Sequence, residues 1–119
     1  MPIQVAPIKP TISIDVLEKI DIRLGTIEQV DDVTGSDKLV RLTVDFGNHK
    51  RRIVAGLKQE RQNLAAIIGV QTLFVVNLAP KRIRGEISEG MLFDAGYADG
   101  LTPLFLIPER RAPNGIRAT

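Results

Sequence analysis

The chain predicts an all-β fold with a short helix, arranged as a small five-stranded barrel. Three observations carry this expectation. Residues 38–46 alternate cleanly, with Val40, Leu42, Val44 and Phe46 on one face and Leu39, Arg41, Thr43 and Asp45 on the other, the period of two expected of a strand with one side against a core. Four further segments carry β-type patterning and are set apart by glycine, proline and asparagine turns. One stretch, residues 58–68, has no β-pattern; Leu64, Ile67 and Ile68 fall on one face of a short helix that Gly69 would close.

In chain order, residues 1–12 form an extended arm punctuated by Pro2, Pro7 and Pro10. Ser13 or Asp15 then caps a short helix whose Val16, Leu17 and Ile20 should plug or cover the sheet. Residues 22–30 read as a bent first strand, because apolar parity changes between Leu24 and Ile27 with Gly25 at the slip, the mark of a bulge. After the alternating second strand, Gly47-Asn48 supplies a hairpin turn and residues 51–56 pair back. Residues 70–77 and 87–95 are the last two strands. The order β-β-β-α-β-β is that of the OB-fold, a five-stranded Greek-key barrel. It occupies residues 13–95 and leaves residues 96–119 as a C-terminal extension, packed on the barrel or in a dimer interface. In the fourth strand Leu73 and Val75 are apolar opposite Phe74 and Val76, so both sides want cover. Either the apolar tail (Leu101, Leu104, Phe105, Leu106, Ile107) provides it or a second copy does.

Composition excludes several function classes. With 119 residues, 44% hydrophobic and 25% charged, the chain is a single globular domain that buries about two thirds of its unfolded surface. The absence of cysteine removes disulfides, thiolate catalysis and cysteine-based zinc sites. His49 is the only histidine and sits in a turn without partners for a metal set. Asp31 and Asp32 are adjacent, so in a strand or turn they diverge instead of converging on a substrate. Gly85 and Gly90 do not open a helix as a phosphate-cradling motif would. The expectation is a non-enzyme without a cofactor. No apolar run approaches the roughly 20 residues of a membrane span, and the first residues lack a cationic head and apolar core of a secretory signal, so a cytoplasmic location is expected.

Charge is where the sequence becomes specific. Net charge is only +2, but residues 46–85 hold eight basic side chains against Glu60 alone, a balance of +7 that leaves −5 for the rest. Within residues 77–91, N-L-A-P-K-R-I-R-G-E-I-S-E-G-M, Lys81, Arg82 and Arg84 sit between Pro80, which has no N–H, and Gly85. A stiff, exposed basic turn between two strands is expected there. Arg41 adds a cation on the outward face of the second strand, and Arg52 lies at the basic end of the third. The pattern is the electrostatic footprint of a phosphate binder.

Four blocks then carry a resemblance: K-I-D-I-R-L-G (residues 19–25), G-S-D-K-L-V-R-L-T-V-D-F-G (35–47), R-I-V-A-G-L (52–57) and N-L-A-P-K-R-I-R-G-E-I-S-E-G-M (77–91). In this order the chain resembles the tRNA-binding domain family, found at the C-terminus of many methionyl-tRNA synthetases and as freestanding dimeric tRNA-binding proteins. The resemblance implies an OB-fold with a C-terminal extension, homodimerisation, and binding of tRNA by its folded shape, with an aminoacyl-tRNA synthetase as a further partner. It implies RNA contacts for Lys38, Ser88 and Met91, with Lys81 and Arg82 in the basic loop and Arg84 extending them. Ala55 stands where many members have serine, so that contact does not carry over. The same family includes a secretion chaperone that binds peptides, the alternative function. With one tyrosine, four phenylalanines and no tryptophan, few rings remain for stacking single-stranded bases, which favours phosphate contacts to a rigid RNA surface.

Overall fold

In the computed structural model, residues 3–119 are described; the first two residues of the expected arm, Met1 and Pro2, lie outside. The strands are β1 (Ile22–Asp32), β2 (Val40–Asp45), β3 (Lys50–Ala55), β4 (Gln71–Val75), β5 (Lys81–Ile83), β6 (Glu86–Ser88), β7 (Met91–Leu92) and β8 (Arg117–Ala118), with helix α1 at Ile14–Leu17. Five strands form one antiparallel sheet in the order β3-β2-β1-β4-β7, and β8 adds to β1. This curled sheet is the OB-like half-barrel that the alternation and element order predict.

β1 organises the sheet. Its first half pairs with β4 from Ile22 to Thr26, and its second half pairs with β2 from Thr26 to Asp32. Such a strand must bend, and the bend is a register shift between Ile27 and Gln29. The bulge therefore lies at Glu28 and not at Gly25 as the sequence pattern suggested. Gly25 serves a different need: a Cβ there would lie 2.6 Å from Val44 and 2.9 Å from Phe46, so only glycine lets the inner face of β2 cross β1 this closely.

The core lies inside this curl. Ile27, Leu42, Val44, Ile53 and Phe74 are fully buried, with Phe46 and Leu57 nearly so. Phe46 meets Phe74 edge-on, centroids 5.6 Å apart, a favoured aromatic geometry. The helix expected over residues 58–68 contracts to one 3₁₀ turn, Leu64–Ile67. Ile67 is buried there, whereas Ile68 is half exposed.

The C-terminal extension answers the question left open in the fourth strand. Leu24 and Leu73 are opposed, as are Thr26 and Gln71, on the outer face of the β1–β4 pair. The tail lies on them. Gln71 Nε2 donates to the Ala112 carbonyl (2.6 Å) and Asn114 Oδ1 (2.9 Å), and Thr26 Oγ1 donates to Asn114 Oδ1 (2.7 Å). Two buried polar side chains on a strand face are tolerated because the tail saturates them.

The helix is the clearest departure. α1 buries none of its residues, and Ile12, Ile14, Val16, Leu17 and Ile20 are between 43% and 64% exposed. It neither plugs nor covers the sheet. Asn77 fixes it from below: Oδ1 accepts from the Asp21 amide (2.9 Å) and Nδ2 donates to the Lys19 carbonyl (2.6 Å).

The sheet closes without a ladder between β3 and its end strand. Ser88, 4% exposed, accepts from the Val54 amide (3.0 Å) and donates to the Gly90 carbonyl (3.1 Å). Ser88→Ala would leave a buried donor unpaired and cost about 1–3 kcal/mol, seen as a lower urea midpoint; a midpoint equal to wild type would show that the hydroxyl does not close the barrel.

Candidate nucleic-acid interface

The basic run is a β-hairpin and not an open loop. Lys81 pairs with Ser88, Arg82 with Ile87 and Ile83 with Glu86. Arg84 and Gly85 occupy the turn with φ of 51° and 81°, the two left-handed positions of a type I′ hairpin. The apolar segment expected to follow as one strand, residues 87–95, is divided between β6 and β7.

Three contacts hold the hairpin against the outer side of β2 and β3. Arg41 Nη1 donates to Glu86 Oε1 at 2.8 Å, and Asp31 approaches the same guanidinium at 3.4 Å. Arg41 is thus neutralised by two carboxylates, and its hydrogen bond to Glu86 raises its pKa further. Glu89 Oε1 accepts from the Arg52 amide (3.0 Å) and its own N–H donates to the Arg52 carbonyl (2.9 Å). Ser88 supplies the third, already described.

The cations of residues 46–85 divide into two sets. Lys50 pairs with Glu28 at 2.9 Å, and Lys58 pairs with Asp32. Arg51 Nη1 donates to the carbonyls of Val76 (2.7 Å) and Glu89 (3.0 Å). Arg61 pairs with Glu60 and lies over the Phe105 ring, 4.2 Å from its centroid. These four are spent on the fold. Arg52, Lys81, Arg82 and Arg84 are exposed, and among the described residues no acidic side chain pairs with them. Lys38 is likewise exposed, three residues before Arg41 at the end of β2 where the hairpin is anchored.

Of the eight expected contact residues, five are therefore solvent-facing cations: Lys81, Arg82 and Arg84 on the hairpin, Arg52 joined to its foot through Glu89, and Lys38 ahead of β2; Met91, in β7, is 48% exposed. Ser88 and Arg41 are placed differently: the serine is buried in the closure and the arginine is held by acids. Glu86 and Glu89, which position the hairpin and Arg52, escaped the sequence reading; their signal was two acids inside an otherwise basic run. Ile87, half exposed across from Arg82, adds an apolar contact point.

A larger cleft of about 560 Å³ opens at the other end of β2, lined by Asp21, Arg23, Phe46, His49, Arg51 and Asn114. Its polar groups are mutually satisfied. Arg23 Nε donates to Asp21 at 2.7 Å and Nη1 to the Gly115 carbonyl at 3.0 Å; Arg51 Nε donates to His49 Nε2 at 3.0 Å. The Arg23 hydrogen bond holds the Asp21 carboxyl below its ordinary range against the opposing effect of burial, with the charges of Arg23 and Arg117 adding to it. Among the described residues no cluster of acids or histidine suits a metal ion, and no helix is long and apolar enough to cross a membrane.

An OB-like half-barrel presenting unpaired cations on a stiff hairpin defines a class: a small binding module for a polyanion. Comparison narrows it. A family model for a tRNA binding domain matches residues 22–117, and the chain belongs to that family. A methionyl-tRNA synthetase-related protein from Pyrococcus horikoshii is similar in structure, with 29% identity and a TM-score of 0.85 over 93% of this chain and 100% of that one. The chaperone CsaA of Bacillus anthracis is similar at 26% identity and a TM-score of 0.77, covering 92% of this chain and 100% of that one. The C-terminal domain of p43 from Plasmodium vivax has 27% identity and a TM-score of 0.74, over 82% of this chain and 58% of that one.

Because the folded state depresses the Asp21 carboxyl, its contribution to stability is present above the ordinary carboxylate range and lost as pH falls through the lowered value. Asp21→Asn should lower the melting temperature at neutral pH and flatten the acid limb of a stability–pH curve; equal acid limbs would show that the Arg23 pair contributes nothing.

Proposed function

We propose that the protein binds tRNA through the hairpin face, largely without regard to sequence, and does no chemistry of its own. The single observation that carries this is the set of five exposed cations, Lys38, Arg52, Lys81, Arg82 and Arg84, left unpaired while their neighbours are neutralised. Cations with no internal partner are available to phosphate oxygens, and a rigid hairpin holds Lys81, Arg82 and Arg84 at spacings suited to a folded RNA surface. Arg41 takes a positioning role: by fixing Glu86 it sets the hairpin's tilt. Ser88 does the same from below. Met91 and Ile87 offer apolar contact to ribose or base.

Family membership and the likeness to a methionyl-tRNA synthetase-related protein support tRNA as the polyanion and an aminoacyl-tRNA synthetase as a natural partner; a cytoplasmic place of work belongs to the same proposal. We further propose a homodimer built on residues 12–20. Five large aliphatic side chains exposed side by side on the arm and α1 form an apolar surface of the kind that isolated monomers rarely keep. The likeness to CsaA favours a second reading, capture of unfolded peptide; the unpaired cations argue against it, since a peptide groove has no need of them.

The deciding experiment is a fluorescence-anisotropy titration with labelled bulk tRNA at two salt concentrations, competed with single-stranded DNA and an unfolded peptide. The expected result is saturable binding that weakens steeply with salt and resists both competitors. Lys81→Glu with Arg82→Glu should reduce affinity at least tenfold and lower the salt slope by about 2; retained affinity would overturn the assignment of the hairpin, and displacement by peptide would favour the chaperone function. For the dimer, sedimentation at micromolar concentration should give twice the chain mass, and Val16→Asp with Leu17→Asp should give one; a monomeric wild type would remove it.

A further inference from the structure

Between β3 and β7 the half-barrel has a slot. The two strands lie side by side, but no ladder joins them: β3 pairs only with β2 in the sheet, and β7 only with β4. The opening holds about 220 Å³ and is lined by Val54, Gly56, Leu57, Glu60, Met91 and Asp94. That is below the ~300 Å³ at which pockets for drug-sized ligands begin, so it suits one ring system and not a folded element.

Four features describe what would fit. The Val54 amide donates sideways to Ser88, so its carbonyl, on the same strand edge, faces the slot, and among the described residues it accepts no hydrogen bond. Over Gly56 the space is open, with nothing within 4 Å of where a Cβ would stand. Met91, 48% exposed, offers a polarisable flat contact. The Asp94 carboxyl receives no hydrogen bond from any other described residue, and burial raises its pKa against the opposing effects of its own amide and the Arg61 charge. Glu60, the other acid, is already paired with Arg61.

The position matters as much as the lining. Lys81 pairs with Ser88, and Ser88 holds Val54, so the basic hairpin is rooted at the slot's edge. An acid beside a phosphate-binding surface repels the backbone it should attract, unless it accepts a hydrogen bond from a base. Acids do this toward exocyclic amines, as with cytosine N4, and folded RNA offers such groups on unstacked loop bases. With so few aromatic side chains in the chain, reading a base by its edge replaces stacking.

We infer that the slot between β3 and β7 receives one unpaired base of the bound RNA, with Asp94 and the Val54 carbonyl accepting from its exocyclic amine and Met91 against its face. This rests on the tRNA-binding function proposed above. It adds a base-reading subsite to a surface otherwise made of phosphate contacts, and it favours adenine and cytosine, whose exocyclic amines lie on the Watson–Crick edge, over uracil.

Two variants test it. Asp94→Asn removes the charge nearly isosterically, and because burial disfavours that charge, it should raise the melting temperature at neutral pH. Gly56→Leu fills the open space at a residue whose backbone is not left-handed. Each protein is titrated with folded bulk tRNA, and the complexes are probed with dimethyl sulfate for base protection and with hydroxyl radicals for backbone protection. The expected result is about tenfold weaker binding for both variants, an unchanged salt slope, loss of protection at one unpaired adenine or cytosine, and retained backbone protection. Wild-type binding with no protected base, or variants that protect the same bases as wild type, would overturn the slot and leave the phosphate surface standing. Absence of tRNA binding by wild type would remove both. Weakened peptide capture by the variants, with tRNA binding unchanged, would assign the slot to peptide and overturn the base.

Discussion

The molecule depends on a sheet that curls far enough to bury its core but not far enough to join its own edges. β1 is shared between β4 on its first half and β2 on its second, and the shift at Glu28 turns one half against the other. The curl brings β3 close to β6 and β7 without a backbone ladder. One backbone bond, from the Glu89 amide to the Arg52 carbonyl, crosses the junction, and side chains complete it: Ser88 on Val54, Glu89 on the Arg52 amide, Arg51 on Val76 and Glu89. A ladder would have sealed the barrel. A side-chain closure seals part of it, carries a hairpin on its outside, and leaves the slot beside Asp94.

Charge is distributed by the same geometry. Strand alternation places Arg41 and Lys50 on the outward face of β2 and β3, and Lys58 and Arg61 follow in the segment after β3. All four find acids, and their value to stability is modest because such pairs are partly solvated. The hairpin's own acid Glu86 and the neighbouring Glu89 are taken up by Arg41 and the Arg52 amide, so among the described residues no acid pairs with Lys81, Arg82 or Arg84. The proposed function thus rests on which cations the fold leaves over, and a net charge of only +2 conceals a strongly basic stretch, residues 46–85.

Much of this was legible in the chain. The inward set Val40, Leu42, Val44 and Phe46 is buried as its alternation required, and the OB-like order follows from five strand patterns and one interruption. The hairpin's cations were visible because proline and glycine bracket them. Other features were not legible because they depend on contacts distant in sequence. Ser88 carries no local sign of burial; only the approach of Val54, 34 residues away, makes it a closure. Ile68 fits a helical face that never forms, since the segment contracts to one turn. Gly25 looked like a bulge because glycine often marks one, whereas its reason is the crossing of Val44 and Phe46.

By itself the sequence determined the strands, the core residues, the basic run and the family blocks, all of which arise from short-range periodicity and from charge, properties that each residue carries with it. The tertiary structure alone decided which cations are neutralised, that the tail covers the outer face of β1 and β4 through Gln71 and Asn114, that α1 keeps its apolar side outward, and that an acid-lined slot opens beside the hairpin. These are properties of pairs brought together by sheet curvature. Periodicity specifies which face a residue takes but not what will stand opposite it.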